Sequence, residues 1–179
     1  MPIPTPTFDH DTGYIYQKIE DLIRYQFSTD RAPKPFVPMA DLFHANTERG
    51  RELLRDVDGL QRQPIADSLL YNIEIILWAD GFAPSNYSSA SVHVCFVTIG
   101  VREGDHTGRN TFVLWLGPSK TSTSSVEELL AAELNSLRKG MDSTGKPFLV
   151  YHKPSERLVH VRVCLYAFLC DKIDKAKRS

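Results

Sequence analysis

Asp80 and Asp171 are the residues of this 179-residue chain whose type and setting could do chemistry. Each follows an apolar, alternating run, Leu70 to Ala79 before the first and Leu158 to Leu169 before the second. A carboxylate delivered at the end of a buried strand is costly to desolvate unless it is paired, capped or bound to metal. Two such carboxylates side by side cannot both ionise cheaply without a cation between them. Hard oxygen ligands of this kind suit Mg²⁺ or Mn²⁺, ions that assist phosphodiester cleavage through two-metal chemistry. The plainer reading of Asp80 is that it opens an Asp80-Gly81 turn, because Asp is a common turn residue.

Bringing the two aspartates together requires a particular order of elements. In the first run Tyr71, Ile73, Ile75, Leu77 and Ala79 alternate on one face, and Ile76 and Trp78 make the other face apolar too. That pattern predicts a central strand covered on both sides. A second strand follows over Val92 to Val101, then a polar two-glycine connection from Arg102 to Arg109, then a third strand over Thr111 to Leu116. Short connections imply an antiparallel meander. Ser125-Val-Glu-Glu128 reads as a capping box opening a helix with Val126, Leu130, Leu134, Leu137 and Met141 as its stripe and Gly140 at its end. Pro147 to His152 is a short extended piece. The last strand alternates Val159, Val161, Val163, Leu165, Ala167 and Leu169 on one face, and Asp171 keeps that parity. A crossover helix after a meander returns this strand alongside the first and parallel to it, which would bring Asp80 and Asp171 to one sheet margin.

The fold class expected is therefore α/β, with a mixed sheet spanning residues 61–179. Residues 1–60 read as a helical N-terminal extension and linker: one helix carrying Ile15, Ile19, Leu22, Ile23 and Phe27, a proline-rich link from Arg31 to Pro38, and a polar helical stretch over Met39 to Arg55. Residues 1–11 are a proline-rich, extended lead-in.

Composition excludes several function classes. Hydrophobic content of 42% with charged content of 24% is that of a globular domain. The formal net charge is -1, so nucleic acid would be met by a local patch and not by a global basic field. No run approaches the roughly 20 apolar residues of a membrane-spanning helix, and the start lacks the segments of a signal peptide. Cys95, Cys164 and Cys170 make an odd count inside strands, favouring buried thiols in a reducing, intracellular compartment.

With this order of elements the chain resembles the first half of the RNase H-like fold of transposases and retroviral integrases. Several segments look like transposases of CACTA-type and related eukaryotic DNA transposons. They are Asp56-Val-Asp-Gly59, Leu77-Trp-Ala-Asp-Gly-Phe82 with Ser85 and Ser88, Arg109-Asn110, Leu114-Trp-Leu-Gly-Pro-Ser-Lys120, Glu133-Leu-Asn-Ser-Leu137 with Gly140, and the strand ending in Asp171. The resemblance covers roughly residues 56–179. It implies DNA as substrate, Mg²⁺ or Mn²⁺ as cofactor, a nuclear location, and Asp80 and Asp171 as the first two metal-binding, catalytic positions. The family's third acidic residue lies beyond a further helix and strand, and so does a cysteine- and histidine-bearing segment. This chain ends before them, and Glu127, Glu128 and Glu133 precede the fourth strand. The expectation is a transposon-derived chain with little catalysis of its own.

The competing expectation is a domesticated interaction or DNA-binding module, holding a protein partner or a second copy through an exposed sheet edge. Other candidates read as structure. His93 with Cys95 and His160 with Cys164 lack zinc-site spacing. Ser85 and Ser88 lack partners for nucleophilic catalysis. The 102–109 loop lacks the ending of a phosphate loop. The basic tail from Lys172 is a solvated terminus before it is a nucleic-acid contact, and Trp78 and Trp115 are core before they are stacking platforms.

Overall fold

The computed structural model describes residues 1–33, 69–82, 91–100 and 110–170. The polar helical stretch over 39–55, the 102–109 loop and Asp171 with the basic tail lie outside the described residues.

Seven strands and two α-helices make up the described chain: β1 (Thr7–Phe8), β2 (Ile15–Tyr16), α1 (Ile19–Phe27), β3 (Leu69–Phe82), β4 (Val92–Ile99), β5 (Thr111–Pro118), α2 (Ser124–Leu137), β6 (Leu149–His152) and β7 (Arg157–Cys170). They form one mixed sheet in the order β1-β2-β5-β4-β3-β7-β6. Strands β3, β4 and β5 pair antiparallel as a meander. After α2, β6 hairpins into β7, and β7 lies parallel to β3. The expected α/β class holds, as do the meander, the helix and the parallel return strand.

Both helices cover one face of this sheet. Ile19, Leu22, Ile23 and Phe27 of α1 and Val126 and Leu137 of α2 share a buried cluster with Tyr71, Ile73, Ile75 and Leu77 of β3, Cys95, Val97 and Ile99 of β4, and Val159, Val161 and Val163 of β7. The period-2 alternation of the strands meets the 3.6-residue stripes of the helices along this one layer. Leu130 and Leu134 pack against its margin, whereas Met141 is exposed and outside the helix.

The N-terminal segment departs from the helical extension expected. It opens with the β1–β2 hairpin, and the helix begins only at Ile19. The apolar spacing of Ile15 and Ile19 mimics a helix, but local turn chemistry decides against it. Asp9 accepts hydrogen bonds from the Asp11 N–H (3.0 Å) and the Thr12 hydroxyl (2.7 Å), and Gly13 takes φ +77°. The hairpin docks on β5 through Ile15↔Leu116 and Tyr16↔Trp115. There the ring of Tyr14 lies directly on Gly117, at a distance no side chain at 117 would permit, and its hydroxyl donates to the Thr121 carbonyl (3.1 Å).

Helix α2 starts earlier than the capping box suggests. Thr123 is the N-cap, and its hydroxyl donates to Glu127 Oε1 at 2.7 Å. Ser125 sits inside the first turn with its hydroxyl buried. Thr123 and Glu127 lie four residues apart, one turn of the helix, which favours this pairing over the Ser125–Glu128 reading.

Candidate functional site

Strand β3 does not end at Asp80. Pairing with β4 continues through Asp80↔Val94, Gly81↔His93 and Phe82↔Val92. The expected strand end, and the Asp80-Gly81 turn as its plainer alternative, are both corrected. Three further rungs of ladder outweigh the local turn preference of Asp-Gly, and Gly81 lets the chain pass the His93 ring, which lies 3.3 Å from where a Cβ would sit. The Asp80 side chain is exposed, so its carboxylate meets water instead of a buried strand end. Its Oδ1 accepts the Gly81 N–H at 2.7 Å.

Asp80 stands on the sheet face opposite the helices. The same face of β3 carries Asn72, Glu74, Ile76 and Trp78. Coverage on both sides holds as far as Ile76 and then fails, for Trp78 is 43% exposed. Its indole N–H donates to Thr98 Oγ1 on β4 (3.2 Å), and Leu169 lies beside it on β7. Trp78 is therefore a surface residue, whereas Trp115 is buried as expected.

The register of β7 on β3 holds a further correction. Pairing runs from Leu69↔Val159 to Ile75↔Leu165, then resumes at Ile76↔Ala167, leaving Tyr166 as the extra residue of a β-bulge. The alternation predicted from Val159 through Leu169 is broken there. Val159, Val161 and Val163 face the helices, but Ala167 and Leu169 share the face of Ile76, Trp78 and Asp80. The last pair described is Ala79↔Cys170, so the ladder runs to the residue immediately before each aspartate. Asp80 alone of the two lies among the described residues. A bulge of this kind changes which face every later residue of a strand serves.

Asp80 fits a hard divalent cation as one anchor. It is an exposed carboxylate with one oxygen held by a backbone N–H, and such ions take one or two carboxylates plus water and phosphate oxygens. Among the described residues no three His, Cys, Asp or Glu side chains gather into a metal-binding group. Cys95 is fully buried, and burial pushes its thiol up to about 12. It stays protonated at neutral pH and serves as core, as expected. His160 likewise works structurally, its Nε2 lying 2.7 Å from the Gly140 carbonyl just beyond α2.

The sequence reading passed over one charged site. Glu133, on α2, turns inward and accepts the backbone N–H of Glu20 at 2.9 Å, capping the first turn of α1. Glu20 in turn accepts from the Ser143 N–H (2.9 Å) and hydroxyl (3.2 Å). Desolvation raises the Glu133 carboxyl to about 7, against the lowering effect of the backbone N–H groups of Glu20 and Ile19. Glu133 also lines a cavity of about 250 Å³ between α2 and β5 with Lys18, Trp115, Leu130, Ser136 and Ser143. Its position gave the signal. It falls three residues after Leu130 and four before Leu137, on the stripe that faces the core.

Comparisons with protein-family models, with curated proteins and with solved structures find no match for this chain. No helix among the described residues is long and apolar enough to cross a membrane.

Proposed function

We propose that this chain is the front half of an RNase H-like, metal-dependent DNA-processing domain of the DDE transposase type, with Asp80 and Asp171 holding Mg²⁺ or Mn²⁺. The observation that carries the reading is the parallel pairing of β3 with β7, followed to Ala79↔Cys170. The sheet order β5-β4-β3-β7, with its three-strand meander and crossover through α2, supports it further. So does the exposure of Asp80, because a catalytic cation must be reached by a polymer that cannot enter a cavity. A nuclear location follows from this reading.

When bound, the cation would lower the pKa of an attacking water or hydroxyl and stabilise the charge developing on the phosphate. The protein's part is to hold carboxylate oxygens toward one point of the sheet face. The Gly81 N–H fixes one Asp80 oxygen, and the β3–β7 ladder is paired as far as Ala79 and Cys170. Two carboxylates make an open, weak site, so Asp80 and Asp171 are expected to hold the cation loosely and to support only slow DNA cleavage. Incubating it with Mn²⁺ and end-labelled DNA tests this. Residual nicking, if present, disappears in Asp80→Ala. Robust cleavage that survives Asp80→Ala contradicts the assignment.

A second reading, an interaction module, is favoured by one separate observation. Leu165, Tyr166, Phe168 and Leu169 are all exposed on a single strand. Large apolar side chains clustered at a sheet edge mark a surface that binds another chain.

A further inference from the structure

We infer that α1 is a hinged flap, held at its N-terminal end by Glu133 and latched at its C-terminal end by His152, and that protonation of His152 in mild acid frees the latched end. The inference is independent of the cation site and of the interaction reading.

The two-residue period of β6 turns His152 inward. Val150 and His152 are buried, whereas Leu149 and Tyr151 between them are not. The imidazole ring lies 5.7 Å from the ring of Phe27, in the last turn of α1, and 5.1 Å from that of Tyr71 on β3. Phe27 and Tyr71 meet at 6.3 Å, so the three rings close one cluster that fastens the end of α1 to the sheet. A neutral imidazole packs there as a largely apolar ring. A charged one is a cation taken out of water.

The ionisable groups around the ring do little to relieve that charge. Arg157 stands opposite His152 in the β6–β7 ladder and repels it. Lys153, next in the chain, is a second cation and is paired with Asp30 beyond α1 at 3.0 Å. Arg24 of α1 is a third, its guanidinium over the Phe148 ring and its Nη1 donating to the Leu149 carbonyl at 2.9 Å. Glu156 is an acid of the same turn, but it is exposed to water. Ser155 Oγ lies 2.6 Å from His152 Nδ1. A hydroxyl donates to the neutral ring and accepts from the charged one, so Ser155 serves both forms. Burial first, and Arg157 after it, hold His152 below the usual histidine range.

The other end of α1 answers acid in the opposite sense. Glu133 accepts the Glu20 N–H, and Ser143 holds the Glu20 carboxylate, with Lys18 as the cation nearby. Burial favours protonated Glu133, so falling pH leaves this anchor in place. His152 contributes fully above its ordinary value of 6.5, and its contribution is lost as the pH falls through the lower, folded value. The Asp30–Lys153 pair is largely exposed and is too well solvated to hold the end alone. Acid therefore loosens one end of α1 and spares the other. Ile23 and Phe27 are fully buried, so the opened form is a minor state whose population rises with protonation.

Native-state amide exchange of the full chain, read by NMR and corrected for intrinsic rates, tests this. Between about pH 7.5 and about pH 5.5 the protection of the Phe27 and Ser28 amides should fall about threefold or more, while that of Leu22, near the hinge, does not fall. In the same samples the His152 ring should titrate below a histidine in an unstructured peptide. Arg157→Gln removes the facing cation and should shrink the fall in protection; His152→Gln removes the titration and should abolish it. A ring that titrates at or above the peptide value overturns the inference, whether or not His152→Gln folds. Protection that is flat with pH, or that falls equally at Leu22, overturns it too. So does a fall that keeps its full size in Arg157→Gln or survives in a folded His152→Gln. The Mn²⁺ and DNA measurements are untouched by any of these outcomes.

Discussion

The two ends of the β3–β7 pair differ more than any other two regions of this molecule. At the near end, Tyr71, Ile73 and Ile75 are buried beneath the helices with Val161 and Val163 of β7, and Asn72, Glu74 and Ile76 on the other face are buried as well. At the far end, Trp78 and Asp80 on β3 and Leu165 to Leu169 on β7 reach solvent. The same ladder of backbone bonds runs through both. The difference shows that the near end belongs to the core and the far end is open to solvent, where the proposed cation site would be reached.

The near end even buries polar groups, Asn72 and Glu74 among them. Arg162 Nε donates to Asn72 Oδ1 at 2.6 Å across the β3–β7 pair. Asn72 is fully buried, so this charge-assisted bond fixes the register of the two strands more strictly than apolar contact alone. The bulge at Tyr166 lies just beyond it, where burial gives way to exposure.

The contrast is broken most strongly at the near end. Ile75→Ala deletes a fully buried side chain from the common cluster and is expected to cost about 2–5 kcal/mol in chemical denaturation. Trp78→Ala, three residues on, removes a larger side chain yet should cost about 1 kcal/mol, because nearly half of it already meets water. Equal losses at the two positions would mean that the far end is core as well.

Glu133 gives a smaller, pH-dependent test of what holds α1 over the near end. Its folded pKa of about 7 lies above the unfolded carboxyl value of 4.5, so the folded state binds the proton more tightly. Its contribution to stability is then fullest below about pH 4.5 and declines as the pH rises toward 7. Glu133→Gln keeps an oxygen for the Glu20 N–H and removes the titration. The midpoint of urea unfolding for this variant should lose the part of its pH dependence that falls between about 4.5 and 7. An unchanged profile would show that Glu133 does not titrate in that window.

The topology was legible in the sequence because its strands alternate cleanly and short connections leave few ways to join them. Three features were not legible, each for a physical reason. The strand through Asp80-Gly81 was hidden because turn preference is local, whereas pairing with Val94 and His93 comes from elsewhere in the chain. The bulge was hidden because Val159 to Leu169 keeps an unbroken two-residue period, and only the register against β3 shows that Tyr166 is extra. The N-terminal hairpin was hidden because Ile15 and Ile19 fall at helical spacing by coincidence, while Asp9, Thr12 and Gly13 write the turn. Of the candidate site, Asp80 was placed at a strand end although its strand runs on to Phe82, and the inward-facing Glu133 was missed because glutamate on a helix is usually solvated.

The central claim is that Asp80 and Asp171 act as one cation site, and a double-mutant cycle on Mn²⁺ affinity tests it most directly. Binding is measured by electron paramagnetic resonance for the parent chain, Asp80→Ala, Asp171→Ala and the double variant. Shared ligation predicts that each single substitution loses nearly as much affinity as the double, a strongly non-additive result. Independent, additive losses, or an affinity that no substitution changes, would contradict it.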